Sequence, residues 1–436
     1  MKRRLLCLTC SLAFLAASGT GRGASVAAQS PQRPEGPYVT LYGRAVDTRT
    51  GEAVPFASVR MQDSGTSNVT NAEGLFSLKV PADTPDDVLV SVRHLGYQSA
   101  ERTVGALRKG TAERPLILSL VPVTLTLDPS VVRSVDPLVL LQTAYRRVPD
   151  NYPRQHEHLT TFYRELIRKG SKYLVLNEAI VDVDKAPYNS LASDRAAIYK
   201  GRGSLNFQRS DTLFVKFQGG IVGTLNGDVV KDPFVGVSLE RVPQYYDLAL
   251  EGSQLLDGHE CLVLAFRQKK GTEEILFDGR LYIDCESYAI ARVEYEMNVK
   301  GREAKAATRF VLHKPADWKI DVENARYTLD FKPFEGTWHF AYSRLELLFS
   351  ARRRRSLWRH HYSIQSEMAV TDISTDPFTV PRDARVRFND ILSEKVSDFS
   401  DPAFWGSYNI IEPDQTIEAA IRRIIRQLES RERSKP

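Results

Sequence analysis

From Val39 onward, apolar positions recur at every second residue in short runs separated by turn-forming residues. Val39–Val46 reads as a strand, with a turn over Asp47–Gly51 behind it. Phe56–Met61, Leu75–Val80, Val88–Arg93 and Leu116–Val121 repeat the pattern, punctuated by Asn71–Gly74, Pro81–Asp87 and Gly96-Tyr97. Short strands at this spacing predict a β-sandwich of the seven-strand type over residues 38–122. Residues 123–135 read as a linker. At Asp136-Pro137 the period changes: an N-cap and an N1 proline precede Leu138, Leu141, Tyr145 and Val148 at helical spacing.

The period of two then returns for most of the chain. His158–Ile167, Lys172–Asp182, Leu213–Gln218, Cys261–Phe266, Ile275–Asp284, Ala289–Asn298, Ala306–His313, Asn324–Phe331, Trp338–Phe349 and Tyr362–Thr371 are predicted strands. Their sequential arrangement, with turns such as Lys269–Thr272, predicts a meandering antiparallel sheet within a larger domain over 136–436. Leu262, Leu264 and Phe266 alternate with Val263 and Ala265, so both faces of that strand are apolar. Such a strand is covered on both sides or faces a cavity on one. The chain closes on a helix with an apolar stripe of Ile417, Ile421, Ile424, Ile425 and Leu428 opposite a row of arginines. The expected fold class is therefore mainly β, a sandwich followed by a larger antiparallel domain with a few helices.

The N-terminus differs from everything after it. Lys2, Arg3 and Arg4 precede the apolar run Leu5–Ala17, and Val26-Ala27-Ala28 before Gln29 fits a small-residue cleavage site. This predicts a signal peptide over 1–28, a polar leader over 29–37, and an exported protein of the periplasm or outer-membrane surface. The apolar run is short of the ~20 residues that span a bilayer, and no later stretch spans one as a helix. The signal carries Lys2, Arg3, Arg4 and Arg22. Removing these four from the 59 basic residues leaves 55 against 54 acidic, so the basic balance belongs largely to the signal. Nothing in the charge points to a nucleic-acid partner.

The stretch GRAVDTRTGEAVPFASVRM, with GTSNVTNAEGLFSLKVP and VLVSVRHLGYQS after it, resembles the carboxypeptidase-regulatory-like, transthyretin-like domain. Gly51, Pro55-Phe56-Ala57, Thr70-Asn71-x-Glu73-Gly74-x-Phe76 and Gly96-Tyr97 carry the resemblance. Gly51, Gly74 and Gly96 stand where tight turns favour positive φ, and Phe56, Phe76 and Tyr97 are expected to fill the core between the two sheets. The resemblance implies an accessory module without catalytic residues. Over residues 246–297 a strand ending in Asp257-Gly258 is followed by an apolar strand and by a strand ending in Ile283-Asp284 and a turn. This stretch is similar to the curved half-barrel sheets of periplasmic lipoprotein carriers, which implies a trough on one face of the C-terminal sheet.

Candidate chemistry is sparse. None of the eight histidines, His94, His156, His158, His259, His313, His339, His360 and His361, has Glu three residues on, so the zinc-carboxypeptidase pair is missing. No Gly-x-Ser-x-Gly elbow or phosphate-binding glycine loop occurs. His156 and His158 share a strand face and are the best metal candidates, although two ligands under-specify a site and an exposed strand start is the simpler reading. Arg352, Arg353, Arg354 and Arg355 with Trp358 form the densest basic cluster. They suit lipid or lipopolysaccharide phosphates, or simply a solvated hairpin turn. Phe404, Trp405 and Tyr408 either line a groove or staple the terminal helix to a sheet. Glu273-Glu274 reads as part of a turn. Cys261 and Cys285 lie on neighbouring strands, where export permits a disulfide and two free thiols are equally compatible. No cofactor is implied. Two functions follow: a non-enzymatic envelope protein holding an apolar, lipid-like ligand or a protein segment in its C-terminal sheet, or an envelope hydrolase with an unfamiliar site.

Overall fold

The computed structural model describes residues 36–123, 135–205, 216–217, 220–231, 234–314, 316–376, 378–397, 399, 401 and 403–433. The signal segment, most of the leader and linker, and all of the predicted strand Leu213–Gln218 except residues 216–217 lie outside them. So does the Leu428 side chain.

The N-terminal unit comprises β1 (Tyr38–Asp47), β2 (Ser58–Met61), β3 (Ser67–Val69), β4 (Leu75–Pro81), β5 (Leu89–Arg93), β6 (Tyr97–Gln98), β7 (Ala100–Thr103) and β8 (Leu116–Pro122). They form two four-stranded sheets, β4-β1-β8-β6 and β3-β2-β5-β7. Leu41, Ala45, Phe76, Leu78, Val90, Val92 and Leu118 fill the space between them. The polar residues of the motif are wired into its turns. Thr70 Oγ1 accepts from the Ala57 amide at 2.8 Å and donates to the Val54 carbonyl at 2.9 Å. Asn71 Oδ1 accepts from the amides of Glu73 and Leu75. Gly74 sits at φ +73°, where an added Cβ would lie 2.4 Å from the Ala45 carbonyl oxygen, so only glycine fits. Gly51 and Gly96 also have positive φ.

Phe56 corrects one expectation. It stands at φ +57° and turns out of the sandwich, packing on the neighbouring domain's cluster around Phe162, Tyr342 and Trp405. Phe76 is in the sandwich core, and Tyr97 packs at its edge with its hydroxyl donating to Asp47 at 3.0 Å.

The larger domain contains β9 (Glu157–Lys169), β10 (Lys172–Lys185), β11 (Arg195–Leu205), β13 (Tyr246–Leu256), β14 (His259–Gln268), β15 (Phe277–Asp284), β16 (Ile290–Met297), β18 (Trp318–Phe334), β19 (Thr337–Arg353) and β20 (His360–Ser374). These ten form one open sheet in the order β11-β10-β9-β20-β19-β18-β16-β15-β14-β13, antiparallel at every described pairing. Short β12 (Lys216–Phe217) and β17 (Val311–His313) pair with each other. The predicted strand Ala306–His313 is thus cut to three residues. Glu303–Ala306 and Ala307–Arg309 form helical turns instead, in keeping with the alanines and charged helix formers there. The helix Pro137–Arg146 begins as expected, with Asp136 accepting from the amides of Leu138 and Val139.

The sheet's two faces are covered differently. One face carries Leu159, Tyr163, Val181, Val293, Leu329 and Met368, buried with Leu140, Leu141 and Tyr145 of the helix Pro137–Arg146. The opposite face is split. Over β9, β10, β19 and β20 it is capped by the sandwich, by Phe404–Ile411 and by the closing helix Gln415–Arg433. Over β14, β15, β16 and β18 it presents Arg267, Asp278, Arg280, Glu294, Glu296 and Arg326 along a charged groove. Phe404, Trp405 and Tyr408 do not staple the helix. They fill the seam between sandwich and sheet, while Ile417, Ile421 and Ile424 pack separately on Leu166, Tyr173 and Leu176.

Beneath that cap runs a row of charged register partners: Arg202, Glu178, Arg164, Glu367 and Arg344, one on each of five adjacent strands and alternating in sign. Arg164 is completely buried, donates two bonds to Glu178 Oε1 at 2.9 and 2.7 Å, and reaches Glu367 at 3.2 Å and the Ile411 carbonyl at 2.7 Å. Burial alone would lift the Glu178 carboxyl, but Arg164 and Arg202 hold it below its ordinary value. The sandwich is locked to this face. Asn68 donates to both the Ser77 and Ile410 carbonyls at 2.7 Å, Ser67 donates to the Val370 carbonyl at 2.7 Å, and Asn409 exchanges bonds with the Lys79 backbone at the edge of β4.

Candidate functional site: an aromatic cleft on the sheet

Where the first face of the sheet is not filled by core side chains, a half-open cleft of about 670 Å³ remains. Its floor comes from β15, β16, β18 and β19, through Phe277, Tyr295, Tyr327 and Leu345. Tyr295 and Tyr327 are register partners on β16 and β18. Their rings stack with centroids 4.6 Å apart and planes 4° from parallel, and Phe277 meets both edge-on. The walls and roof come from Ser190–Asp194, the helix Gly220–Leu225 with Asn226–Val229, and Val235, Phe310 and Phe388. The Tyr295 hydroxyl donates to the Gly227 carbonyl at 3.0 Å, tying floor to roof.

The roof is anchored by a buried ionic cluster. Lys185, at the end of β10, donates to Asp194 at 2.8 Å and to Asp228 at 2.6 Å, and Tyr188 donates to Asp228 at 2.7 Å. Lys231 adds a bond to the Ala186 carbonyl at 3.0 Å and lies 3.4 Å from Asp194. Burial pulls the Lys185 ammonium down, but the two carboxylates outweigh it and hold the group above its ordinary value. Asp194 is likewise held below its ordinary value by Lys185 and Lys231 against the effect of burial. Both carboxylates on the cleft wall are thus paired with Lys185 and committed to structure, and Asp194 is held in its ionised form.

The sequence candidates fall elsewhere. His156 and His158 do share a face, but each imidazole meets its own carboxylate on β10, Asp184 and Asp182 respectively, while Glu157 turns the other way to His339. Among the described residues no group of three or more His, Cys, Asp or Glu side chains is arranged around an ion. Cys261 and Cys285 are free thiols in the structure, and burial pushes both up, Cys285 to about 11, which disfavours the reactive thiolate. Beside them lies a grouping with the residue types of a hydrolase relay. Asp284 accepts from Ser287 Oγ at 2.6 Å and lies 3.3 Å from His259 Nδ1. The carboxylate stands between serine and imidazole, so the imidazole is not placed to take the serine proton. Asp284 instead caps its own turn by accepting from the Ser287 amide. Arg352–Arg355 and Trp358 sit at the far tip of the β19–β20 hairpin.

Residues 41–132 match the family model of the CarboxypepD_reg-like domain. The N-terminal sandwich is a domain of this family. No curated protein matches the chain. Solved structures with a similar arrangement include a DUF1329 family protein from Desulfovibrio piger, 14% identical over 56% of this chain and 96% of that one, with a TM-score of 0.26. A LolA superfamily protein from Nitrosomonas europaea is 11% identical over 57% of this chain and 99% of that one, with a TM-score of 0.23.

The cleft residues were not singled out from the sequence. Tyr295 and Tyr327 lie in predicted strands, each on its apolar side, but stacking them requires the β16–β18 register, which spans an irregular excursion over 298–317. Lys185, Asp194 and Asp228 are ordinary charges in three separate segments until the fold joins them.

Proposed function

We propose that this protein is a non-enzymatic binding protein of the cell envelope that holds an apolar ligand, an acyl chain or an apolar protein segment, in the cleft over Tyr295 and Tyr327. The observation that carries the reading is the cleft's lining. It has the volume of a small-molecule site, an aromatic floor, and carboxylates already neutralised by Lys185. Such a surface favours dispersion and burial of apolar area over polar recognition. Arg309 and Lys231 on its wall suit the acidic end of an amphiphile. The rest of that face is filled by core side chains, so the binding region is this cleft and not the whole sheet. Export through the N-terminal segment is part of the same proposal, and N-terminal sequencing of protein from its host should give a mature start at Gln29.

Native mass spectrometry of gently purified protein tests the reading. The expected result is a population carrying a co-purified apolar molecule that is released by organic extraction. A homogeneous apo mass, with no uptake of added fatty acid, would leave the protein as a scaffold acting through its outer surface.

A further inference from the structure

β19 and β20 form the sheet's projecting hairpin. Its connection, residues 354–359, passes beyond Trp318, the first residue of β18, which pairs with Arg353. At the tip Leu357 is 98% exposed and Trp358 81% exposed. The turn is built and not frayed: the Ser356 amide donates to the Arg353 carbonyl at 3.0 Å, and the Trp358 amide donates to Ser356 Oγ at 3.1 Å. Arg353 and Arg359 flank the apolar pair and lie 3.9 and 3.4 Å from Asp317, just before β18, and Asp321 on β18. Arg354 and Arg355 are exposed and have no acidic partner among the described residues.

Two apolar side chains held out in water, ringed by four guanidinium groups, match a surface with an anionic skin and an apolar interior. Two side chains are too few to form the core of a protein interface, which takes about 800 Å² from each partner. They do suit a bilayer surface, where Trp settles at headgroup depth and Arg binds phosphate oxygens. We propose that the 354–359 tip inserts Leu357 and Trp358 into an anionic phospholipid bilayer, with Arg354 and Arg355 on the lipid phosphates. This tip is separate in the chain from Leu345 of the cleft, and its proposed role does not depend on the cleft.

The chain has four tryptophans, and Trp318, Trp338 and Trp405 are buried, so a change in tryptophan emission on lipid binding reports Trp358. The full chain is mixed with phosphatidylglycerol–phosphatidylcholine vesicles, with pure phosphatidylcholine vesicles, and with inorganic phosphate. Expected are co-sedimentation and a blue shift with the anionic vesicles only, reversed by high salt. Leu357→Ser with Trp358→Ser, and separately Arg354→Gln with Arg355→Gln, should each weaken co-sedimentation by about tenfold or more. Both pairs are exposed, so unfolding curves should match the wild type. Three results would overturn the proposal: no sedimentation with anionic vesicles, sedimentation without a blue shift, or full competition by inorganic phosphate, which would mean a simple anion site.

Discussion

The Arg344 guanidinium lies over the ring of Phe56, 4.2 Å from its centroid, and joins the sandwich to the sheet. Phe56 also stacks against Tyr342, and Arg344 reaches Glu346 at 2.7 Å while sharing the charged row with Glu367. An aromatic that sequence reasoning places in the sandwich core is instead the sandwich's contact with the larger domain.

A double-mutant cycle on Phe56→Ala and Arg344→Ala measures this contact. The two changes should couple by about 0.5–2 kcal/mol in urea unfolding, the range of a partly desolvated cation–π pair. Strictly additive losses would show that the two residues stabilise their domains independently.

The roof of the cleft depends on Lys185. Replacing it with Met leaves Asp194 and Asp228 buried without their shared cation, which should cost about 3–5 kcal/mol. The triple change Lys185→Met, Asp194→Asn, Asp228→Asn removes the stranded charges together and should recover most of that loss. Thermal unfolding of the two variants distinguishes a paired cluster from a simple packing defect.

How much of this was legible depends on the range of the interaction. Alternation revealed β1, β9, β10 and β19 because one residue in two meets a core locally. β11 carries Lys200, Arg202 and two glycines among its apolar positions and gave no such signal. Arg164, Glu178 and Glu367 occupy positions that alternation assigns to solvent, and they are buried because the sandwich and the distant segment Phe404–Ile411 cover them. No local pattern records that cover. The Phe56 misplacement has the same origin, since an exposed aromatic and an interface aromatic look alike until the partner surface is known. Resemblance and the doubly apolar strand at Leu262–Phe266 suggest a trough over that strand. The strand proves to be buried throughout, and the open volume begins over its neighbour β15 and runs across β16, β18 and β19.

His94 gives the interface a pH dependence. Burial, and then the nearby Arg292 cation, lower its pKa to about 4, against the carboxylates of Asp257 and Glu294. The folded value is below the ordinary value of about 6.5, so the unfolded chain takes up this proton first as pH falls. The contribution is therefore lost between about pH 6.5 and pH 4. Comparing wild type with His94→Gln by urea unfolding across that window should show a steeper acid loss in the wild type. Parallel curves would assign the acid sensitivity to other groups.

The cleft itself can be obstructed with one side chain. Gly223 lies in the helix Gly220–Leu225 at the cleft wall, and an added Cβ meets only Phe388, at 3.8 Å. Gly223→Leu should obstruct the cleft beside Phe388 without straining the helix, since Leu is the better helix former. Titration of a fluorescent fatty-acid probe into wild type and Gly223→Leu, each with a matched unfolding curve, tests the binding claim most directly. Saturable binding by the wild type, displaced by unlabelled fatty acid and weakened at least about tenfold in the variant, is the expected result. Equal affinity in the two proteins, or no saturable binding by the wild type, would contradict a ligand site over Tyr295 and Tyr327.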